Sequence, residues 1–466
     1  MATPVAEGQT LYSGPRGTAV KILNRVERTD SYLDKLLDVE LRSGDLSDLD
    51  KTLLAEIVHG VMRWQGRLDW VLNGFTHGNF SKSEVNIKNT GRVALYQLLF
   101  LTSVPHYAAV NEAVEFIKRI RGEKSGHLIN AVLRNIIRSL DAIHYPKPEE
   151  DLGQYLAVYY SHPLWMVRRW MTRFDREELE RFLTVNNEVP GLTLRINRLK
   201  ITPSEFLSTL DGAKIPYQGS SFIDHFIKLK SLSGIGQMKM FQSGFFSIQD
   251  ESAALPVLLL DPKPGERVID LCAAPGGKTT FIAELMHNQG EILAVDKYEA
   301  RLHIVSTNCE RLGIKNVQLR VADAALLEAP PADKVILDVP CSGLGVLRKK
   351  PDIKWKREPE DIPRLVRQQL GLLEQGARLV KPGGVLVYST CTTEPEENAM
   401  QITSFLERHP EFRLDDASQY VNKSVVTPGG SVETLPHRHH IDGTFAARLV
   451  RSTAPENGQL TGGTGA

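Results

Sequence analysis

Val268-Ile269-Asp270-Leu271-Cys272-Ala273-Ala274-Pro275-Gly276-Gly277-Lys278-Thr279 is the stretch on which the reading of this chain turns. An apolar run stops at a carboxylate, passes through small residues and a Pro-Gly-Gly turn, and continues as a helical pattern from Thr279. Glycines let backbone approach a ligand, and a helix N-terminus presents unpaired N–H groups with partial positive charge. The loop therefore reads as an anion- or nucleotide-facing turn. The dinucleotide spacing G-x-G-x-x-G is missing. A Walker A loop ending in Gly277-Lys278-Thr279 would need glycine at position 272, where Cys272 stands.

Downstream, Ile292-Leu293-Ala294-Val295, Val317 to Val321, Val335-Ile336-Leu337 and Val385-Leu386-Val387-Tyr388 are short apolar runs separated by helical patterns. That alternation predicts a Rossmann-like α/β domain with a parallel sheet covered on both faces. Asp296 ends the second run, where an acid accepts hydrogen bonds from ribose hydroxyls. Asp323 follows the third, placed for adenine or its amino group. A glycine turn, a ribose acid and a third-strand acid are what an S-adenosylmethionine pocket requires. Its expected residues are Cys272, Ala273, Ala274, Pro275, Gly276, Gly277, Lys278, Asp296, Asp323 and Asp338. Cys272 contributes through its backbone more than its sulfur; Asp338 is placed for the methionine part of the cofactor, the target base, or both.

Two more motifs end strands: Asp338-Val339-Pro340-Cys341-Ser342-Gly343 and Tyr388-Ser389-Thr390-Cys391-Thr392. Open α/β sheets bind ligands at the C-terminal ends of their strands. A thiol beside a methyl-donor pocket suits one chemistry in particular. Carbon 5 of cytosine is a poor nucleophile until a thiolate adds at carbon 6 and makes it enamine-like. It then takes a methyl group, a base removes the carbon-5 proton, and the thiolate leaves. A free thiol has a pKa near about 8.5, so its surroundings must activate it. Cys341 and Cys391 are the candidates; Cys309, inside a helical pattern, reads as a small buried hydrophobe.

The 466 residues include 42% apolar residues, enough for more than one packed core. Four cysteines lack C-x-x-C pairing, which argues against structural zinc and a disulfide framework. No metal is expected, because His437, His439 and His440 lack a fixed carboxylate or cysteine spacing. The first ten residues carry no basic start followed by an apolar stretch, and no run is long enough to span a membrane, so a reducing cytoplasm is the expected compartment. With 56 basic and 56 acidic residues, nucleic-acid binding must come from local patches. Arg348-Lys349-Lys350, Lys354, Lys356 and Arg357, with Trp355 among them, form one basic run that predicts an RNA-facing segment.

The remaining chain divides by composition. Residues 1–15 are small and polar, read as a mobile N-terminus. Residues 16–144 are all-helical in pattern: Leu95, Leu98 and Leu99, then Val110, Ala113, Val114 and Ile117, follow i, i+3, i+4 spacing. A Pro- and acid-rich linker precedes residues 152–241, helical and then α/β, with a strand at Leu192–Ile196 and a capped helix start at Thr202-Pro203. Residues 242–451 hold the catalytic pattern, and 452–466 read as a disordered tail.

Three motifs carry a resemblance. Cys272 to Thr279, Asp338 to Gly345, and Ser389-Thr390-Cys391-Thr392 with Glu394, Glu396, Glu397 and Asn398 resemble the RNA cytosine-5 methyltransferase family, as does Phe246 to Ser252. Ala108 to Val114 and Asn130 to Arg134 resemble the NusB-like RNA-binding domain. The combination is similar to bacterial small-subunit rRNA methyltransferases of the RsmB (Sun, Fmu) type, over nearly the whole chain. The resemblance implies an S-adenosylmethionine-dependent enzyme acting on RNA, 16S rRNA in particular. It implies that Cys391 is the nucleophile and that Cys341 assists product release. In DNA cytosine-5 methyltransferases the Pro-Cys cysteine attacks instead, which keeps the reverse assignment open. A tRNA, other RNA or DNA substrate, or a catalytically dead RNA-binding scaffold, are the alternatives.

Overall fold

The computed structural model describes residues 11–43, 46–76, 78–230 and 234–453; most of the two terminal segments read as mobile from composition lies outside them. The chain forms two compact units, Met1–Val189 with Leu347–Arg357, and Pro190–Val346 with Glu358–Ala466.

The first unit is helical, with helices Gly14–Arg28, Leu33–Arg42, Asp48–Gly74, Val85–Phe100, His106–Arg121 and Glu123–Arg138, then Leu152–Tyr159, Leu164–Trp170 and Arg176–Val185. Local sequence explains their starts. Ser47 caps the longest helix by accepting from the Asp50 N–H, with Asp48 and Asp50 in the first turn against the helix dipole. The spacing read from the sequence holds: Leu95, Leu98, Val110, Ala113 and Ile117 are buried in one core with Leu23, Val61, Leu72 and Leu133. Within that core Arg92 keeps its charge by pairing with Asp69 at 2.6 Å and Glu27 at 2.9 Å.

Part of the basic run is buried and not turned outward as its composition predicts. Lys354 is fully buried, and its Nζ lies within hydrogen-bond distance of Arg63 O at 2.8 Å, Ser161 O at 2.9 Å and Asn187 Oδ1 at 2.9 Å. Trp355 Nε1 donates to Met62 O at 2.6 Å, and Arg63 Nη2 to Arg348 O at 3.3 Å. Asp352 accepts from the Leu33 N–H at 3.3 Å. Three oxygen acceptors from separate parts of the chain surround one nitrogen, so this segment is a plug in the helical unit. Within the run Lys350 is exposed, but Arg348 is only 8% exposed.

The second unit contains two sheets. In the smaller, β1 (Leu192–Ile196), β2 (Gln218–Gly219), β3 (Phe226–Leu229) and β4 (Phe246–Ile248) run in the order β2-β3-β1-β4. All its pairs are antiparallel. Its helix Pro203–Gly212 opens with the expected cap, a full capping box between Thr202 and Glu205.

The larger sheet holds β5 (Arg267–Asp270), β6 (Glu291–Asp296), β7 (Val317–Val321), β8 (Ala332–Asp338), β9 (Val380–Thr390), β10 (Phe412–Asp415), β11 (Val432–Thr434) and β12 (Thr444–Arg451). The order is β10-β12-β9-β8-β5-β6-β7, with β11 paired to β12. The core β7-β6-β5-β8-β9 is parallel, as the sequence predicts. The sheet as a whole is mixed, because β12 enters antiparallel between β9 and β10. β7, expected to be covered on both faces, is an edge strand with four of its five residues exposed. The strand order reverses at β5, whose neighbours are β6 and β8; ligands bind beside such switch points.

Candidate active site

The loop after β5 is held from several directions. Gly276 has φ of +101°, and a Cβ there would lie 3.1 Å from Val305, so this turn needs glycine. Arg301 donates to Ala274 O at 2.9 Å and Asn308 to Pro275 O at 3.2 Å. From the small sheet, Arg195 reaches Gly277 O at 2.9 Å and Thr280 Oγ1 at 3.0 Å, bonds Gln249, and pairs with Glu284 at 3.2 Å. Asp270, at the end of β5, accepts from Thr279 Oγ1 at 2.7 Å and the Cys272 N–H at 3.3 Å. Burial pushes its carboxyl up to about 6.

Asp296 ends β6 and is 5% exposed. It accepts from the Tyr298 N–H at 3.0 Å and pairs with Arg301 at 3.3 Å, which orients the carboxylate. Asp323 follows β7, accepts from the Ala325 N–H at 3.1 Å, and pairs with Lys297 at 3.0 Å. Small Ala273 and Ala274, a glycine turn and acids beyond β6 and β7 fit a nucleoside cofactor: Asp296 has acceptor capacity for ribose hydroxyls and Asp323 for an amino group. Burial first, then Asp270, raises the Cys272 thiol far above its usual range, which suits an inert wall.

The two expected thiols meet. β8 and β9 pair in register, Asp338 opposite Ser389, and the chain just beyond each strand brings Cys341 Sγ to 3.2 Å from Cys391 Sγ. Further contacts fix the two loops. The Cys391 N–H points at Cys341 Sγ at 3.3 Å, the Gly345 N–H donates to Cys391 O at 3.0 Å, and Ser342 Oγ lies 2.7 Å from Thr392 Oγ1. Gly345 is obligatory, since a Cβ there would sit 2.3 Å from Gly443 O.

Lys278 joins the cofactor loop to this pair. Its Nζ lies 2.6 Å from Asp338 Oδ2, with its side chain 14% exposed, and Ser389 Oγ donates to Asp338 Oδ1 at 3.1 Å. Burial works against the ammonium, but Asp338, Cys391 and Asp270 outweigh it and hold its pKa above the usual lysine value. The hydrogen bond with Cys391, then burial and the charge of Glu397, hold the Cys341 thiol well above its usual range. The site therefore contains a permanent cation beside Cys391 and a neutral thiol beside it.

Cys309 lies buried in the helix Glu299–Leu312, as the sequence reading has it. His439 bonds locally to the Leu435 backbone, and among the described residues no group of three or more His, Cys, Asp or Glu side chains is arranged to hold a metal. Sequence reasoning gave no role to Asp270, Arg195, Arg301, Gln369 or Glu397. Asp270 and Glu397 stood inside quoted motifs; the other three carry no local signal.

Comparison with known proteins agrees with this arrangement. Residues 257–450 match the family 16S rRNA methyltransferase RsmB/F, residues 13–138 the NusB family, and residues 162–235 the ferredoxin-like domain of RsmF/B-like methyltransferases. A probable ribosomal RNA small subunit methyltransferase B of Bacillus subtilis is 37% identical, over 93% of this chain and 98% of its own length. The ribosomal RNA small subunit methyltransferase B of Yersinia pseudotuberculosis is 34% identical over 94% of this chain and 98% of its own. The crystal structure of PH0851 superposes with a TM-score of 0.80 at 30% identity, covering 95% of this chain and all of that one. A methyltransferase homolog from Pyrococcus horikoshii gives 0.57 at 28% identity, over 65% of this chain and 99% of that one. Identity sustained across the helical unit, the small sheet and the thiol-bearing sheet alike shows that this chain belongs to the RsmB/F family of S-adenosylmethionine-dependent 16S rRNA methyltransferases.

Proposed function

We propose that this chain methylates carbon 5 of a cytosine in small-subunit rRNA, with Cys391 as the nucleophile and Cys341 as the group that lets the product go. The observation that carries this reading is the 3.2 Å approach of the two thiols beside the Lys278–Asp338 pair. The target cytosine leaves its stack, at a cost of a few kcal/mol, to reach these groups. Lys278 favours the thiolate of Cys391, as a neighbouring cation does. The thiolate adds at carbon 6, and the electron pair of the 5,6 double bond shifts to make carbon 5 nucleophilic. Bound S-adenosylmethionine supplies the methyl group. A base takes the carbon-5 proton, the electron pair left behind restores the double bond, and the C6–S bond breaks to release Cys391 as the thiolate, with the Cys341 thiol 3.2 Å away donating to the departing sulfur. Asp296 and Asp323 hold the ribose and adenine ends of the cofactor. Two free thiols this close stay reduced only in a reducing compartment, which supports action in the cytoplasm.

The helical unit supplies RNA affinity in this reading, from its likeness to NusB over residues 13–138. Labelled methyl transfer to small-subunit rRNA, tRNA and DNA side by side tests the substrate. Cys391→Ser and Cys341→Ser, run with rRNA and cofactor on one denaturing gel, test the chemistry. The expected result is no adduct and no methylation for Cys391→Ser, and an accumulated protein–RNA adduct for Cys341→Ser. An adduct with Cys391→Ser alone reverses the assignment.

A further inference from the structure

The backbone on both sides of Cys341 is held by a buried polar pair that the reaction scheme leaves unused. Gln369, on the helix Asp361–Leu379, is completely buried, and its Nε2 donates to Pro340 O at 2.9 Å and to Glu397 Oε2 at 2.8 Å. The same Glu397 Oε2 accepts the Ser342 N–H at 2.9 Å. The carbonyl before Cys341 and the N–H after it are thus bound by one amide–carboxylate pair. Glu397 is itself completely buried, on the short turn Pro395–Glu397, and its backbone carbonyl accepts from Tyr388 Oη at 2.7 Å.

A carboxyl is an expensive choice for a clamp. Its donors, which include the Ser342 N–H and the Gln369 amide, are neutral, and Glu397 Oε1 and Gln369 Oε1 are buried with no hydrogen-bond partner among the described residues. Unpaired buried polar atoms cost stability, and folds retain them mainly where function demands it. The titratable groups around Cys341 come from separate elements: Cys391 just past β9, Tyr388 within β9, and Glu397 on its turn, with Glu394 beside it. Lys278, with Asp338 and Asp270, faces Cys391. The two thiols therefore sit between a cation on one side and a carboxyl on the other, an arrangement that separates their roles.

We propose that Gln369 and Glu397 are positioning residues for Cys341, fixing its loop within reach of Cys391. Burial raises the Glu397 carboxyl, and its charge contributes to holding Cys341 protonated. The inference rests on the reading of Cys391 as nucleophile and Cys341 as resolving thiol.

Two experiments on the full chain test it. In the first, Glu397→Gln and Gln369→Met are run beside Cys341→Ser with rRNA and cofactor. Glu397→Gln preserves an acceptor for the Ser342 N–H but removes the charge; Gln369→Met removes the grip on Pro340. Both should transfer the first methyl group at close to the wild-type rate, yet slow at steady state by about tenfold or more and accumulate adduct, because resolution alone is impaired. In the second, iodoacetamide alkylation of Cys341 is followed against pH in a Cys391→Ala background. Adding Glu397→Gln should lower the alkylation midpoint by about one pH unit, since a nearby negative charge is gone. A purely structural Glu397 would leave that midpoint unmoved. An unmoved midpoint, with no adduct in either clamp variant while Cys341→Ser accumulates one, overturns the proposal. If Cys341→Ser accumulates no adduct, the division of labour between the thiols fails instead, and the alkylation midpoint still decides the role of Glu397.

Discussion

Two lysines largely withdrawn from solvent, one in each unit, show how the partner of a charge decides what the charge is for. Lys278 pairs with the Asp338 carboxylate and lies beside Cys391. Lys354 has no carboxylate; it donates to two backbone carbonyls and one amide oxygen. The carboxylate keeps Lys278 a cation through the alkaline range, so its field is always present where a thiolate has to form. Around Lys354, burial and then the Arg63 guanidinium disfavour the charge, and its pKa lies well below the usual lysine value. In the proposed mechanism the first lysine serves chemistry; the second fills a hole in the fold.

The contrast is sharpest in activity. Lys278→Met should slow single-turnover methyl transfer by about 10²–10³-fold, the size of effect seen when one preorganised electrostatic group is removed from a reacting centre. The fold should survive, because Asp338 is 36% exposed on its side chain and can be solvated once its partner is gone. A variant that methylates within about threefold of wild type at pH 7 would remove Lys278 from thiol activation.

Lys354→Met should do the opposite. The buried oxygens around Nζ lose their partner, and each unsatisfied group costs about 1–3 kcal/mol before relaxation. A net loss of about 3 kcal/mol is expected in the helical unit, read as a lower melting transition of the full chain. Cofactor affinity by calorimetry should stay at the wild-type value, since every residue assigned to that pocket belongs to the other unit. A large loss of cofactor binding with unchanged melting would invert the comparison.

The two lysines also mark where sequence reading succeeds. The loop that carries Lys278 was legible as a strand–turn–helix because glycines, the strand-end acid and the helix start all lie within ten residues, but the approach of Lys278 to Asp338 and Cys391 was not. Cys341 and Cys391 were legible for the same reason, each in a short strand-end motif. Lys354 was misread because its acceptors lie 291, 193 and 167 residues away in the chain, so nothing beside it says that it is buried. Glu397 was visible in its motif, but Gln369 is 28 residues away on an amphipathic helix where a glutamine looks solvated. β12 escaped because Thr444–Arg451 contains two alanines and Arg448, a weak strand on propensity alone. Its place comes from pairing on both sides, Phe445 opposite Thr390 and Leu449 opposite Leu414.

The smallest expected effect is a slope of stability with pH, and it separates the lysines without touching catalysis. A lysine in the unfolded chain has a pKa near about 10.4. Lys354 sits below that value in the fold, so between its folded pKa and the unfolded one the unfolded chain holds a proton that the native chain lacks. Stability contributed through Lys354 therefore rises with pH across that window, by at most about 1.4 kcal/mol per pH unit. Lys278 has its pKa raised, so its contribution is fully present below the unfolded value and is lost only as pH rises through the folded one. Buried His162, which burial and then Lys354 hold well below the usual histidine value, stays neutral throughout this range and adds no slope. Melting of wild type and Lys354→Met at intervals from pH 7 to pH 10 isolates the term: the advantage of wild type should widen toward alkaline pH. A constant difference would mean that three well-placed oxygens keep Lys354 charged despite its burial. The two lysines would then differ in their partners and not in their protonation.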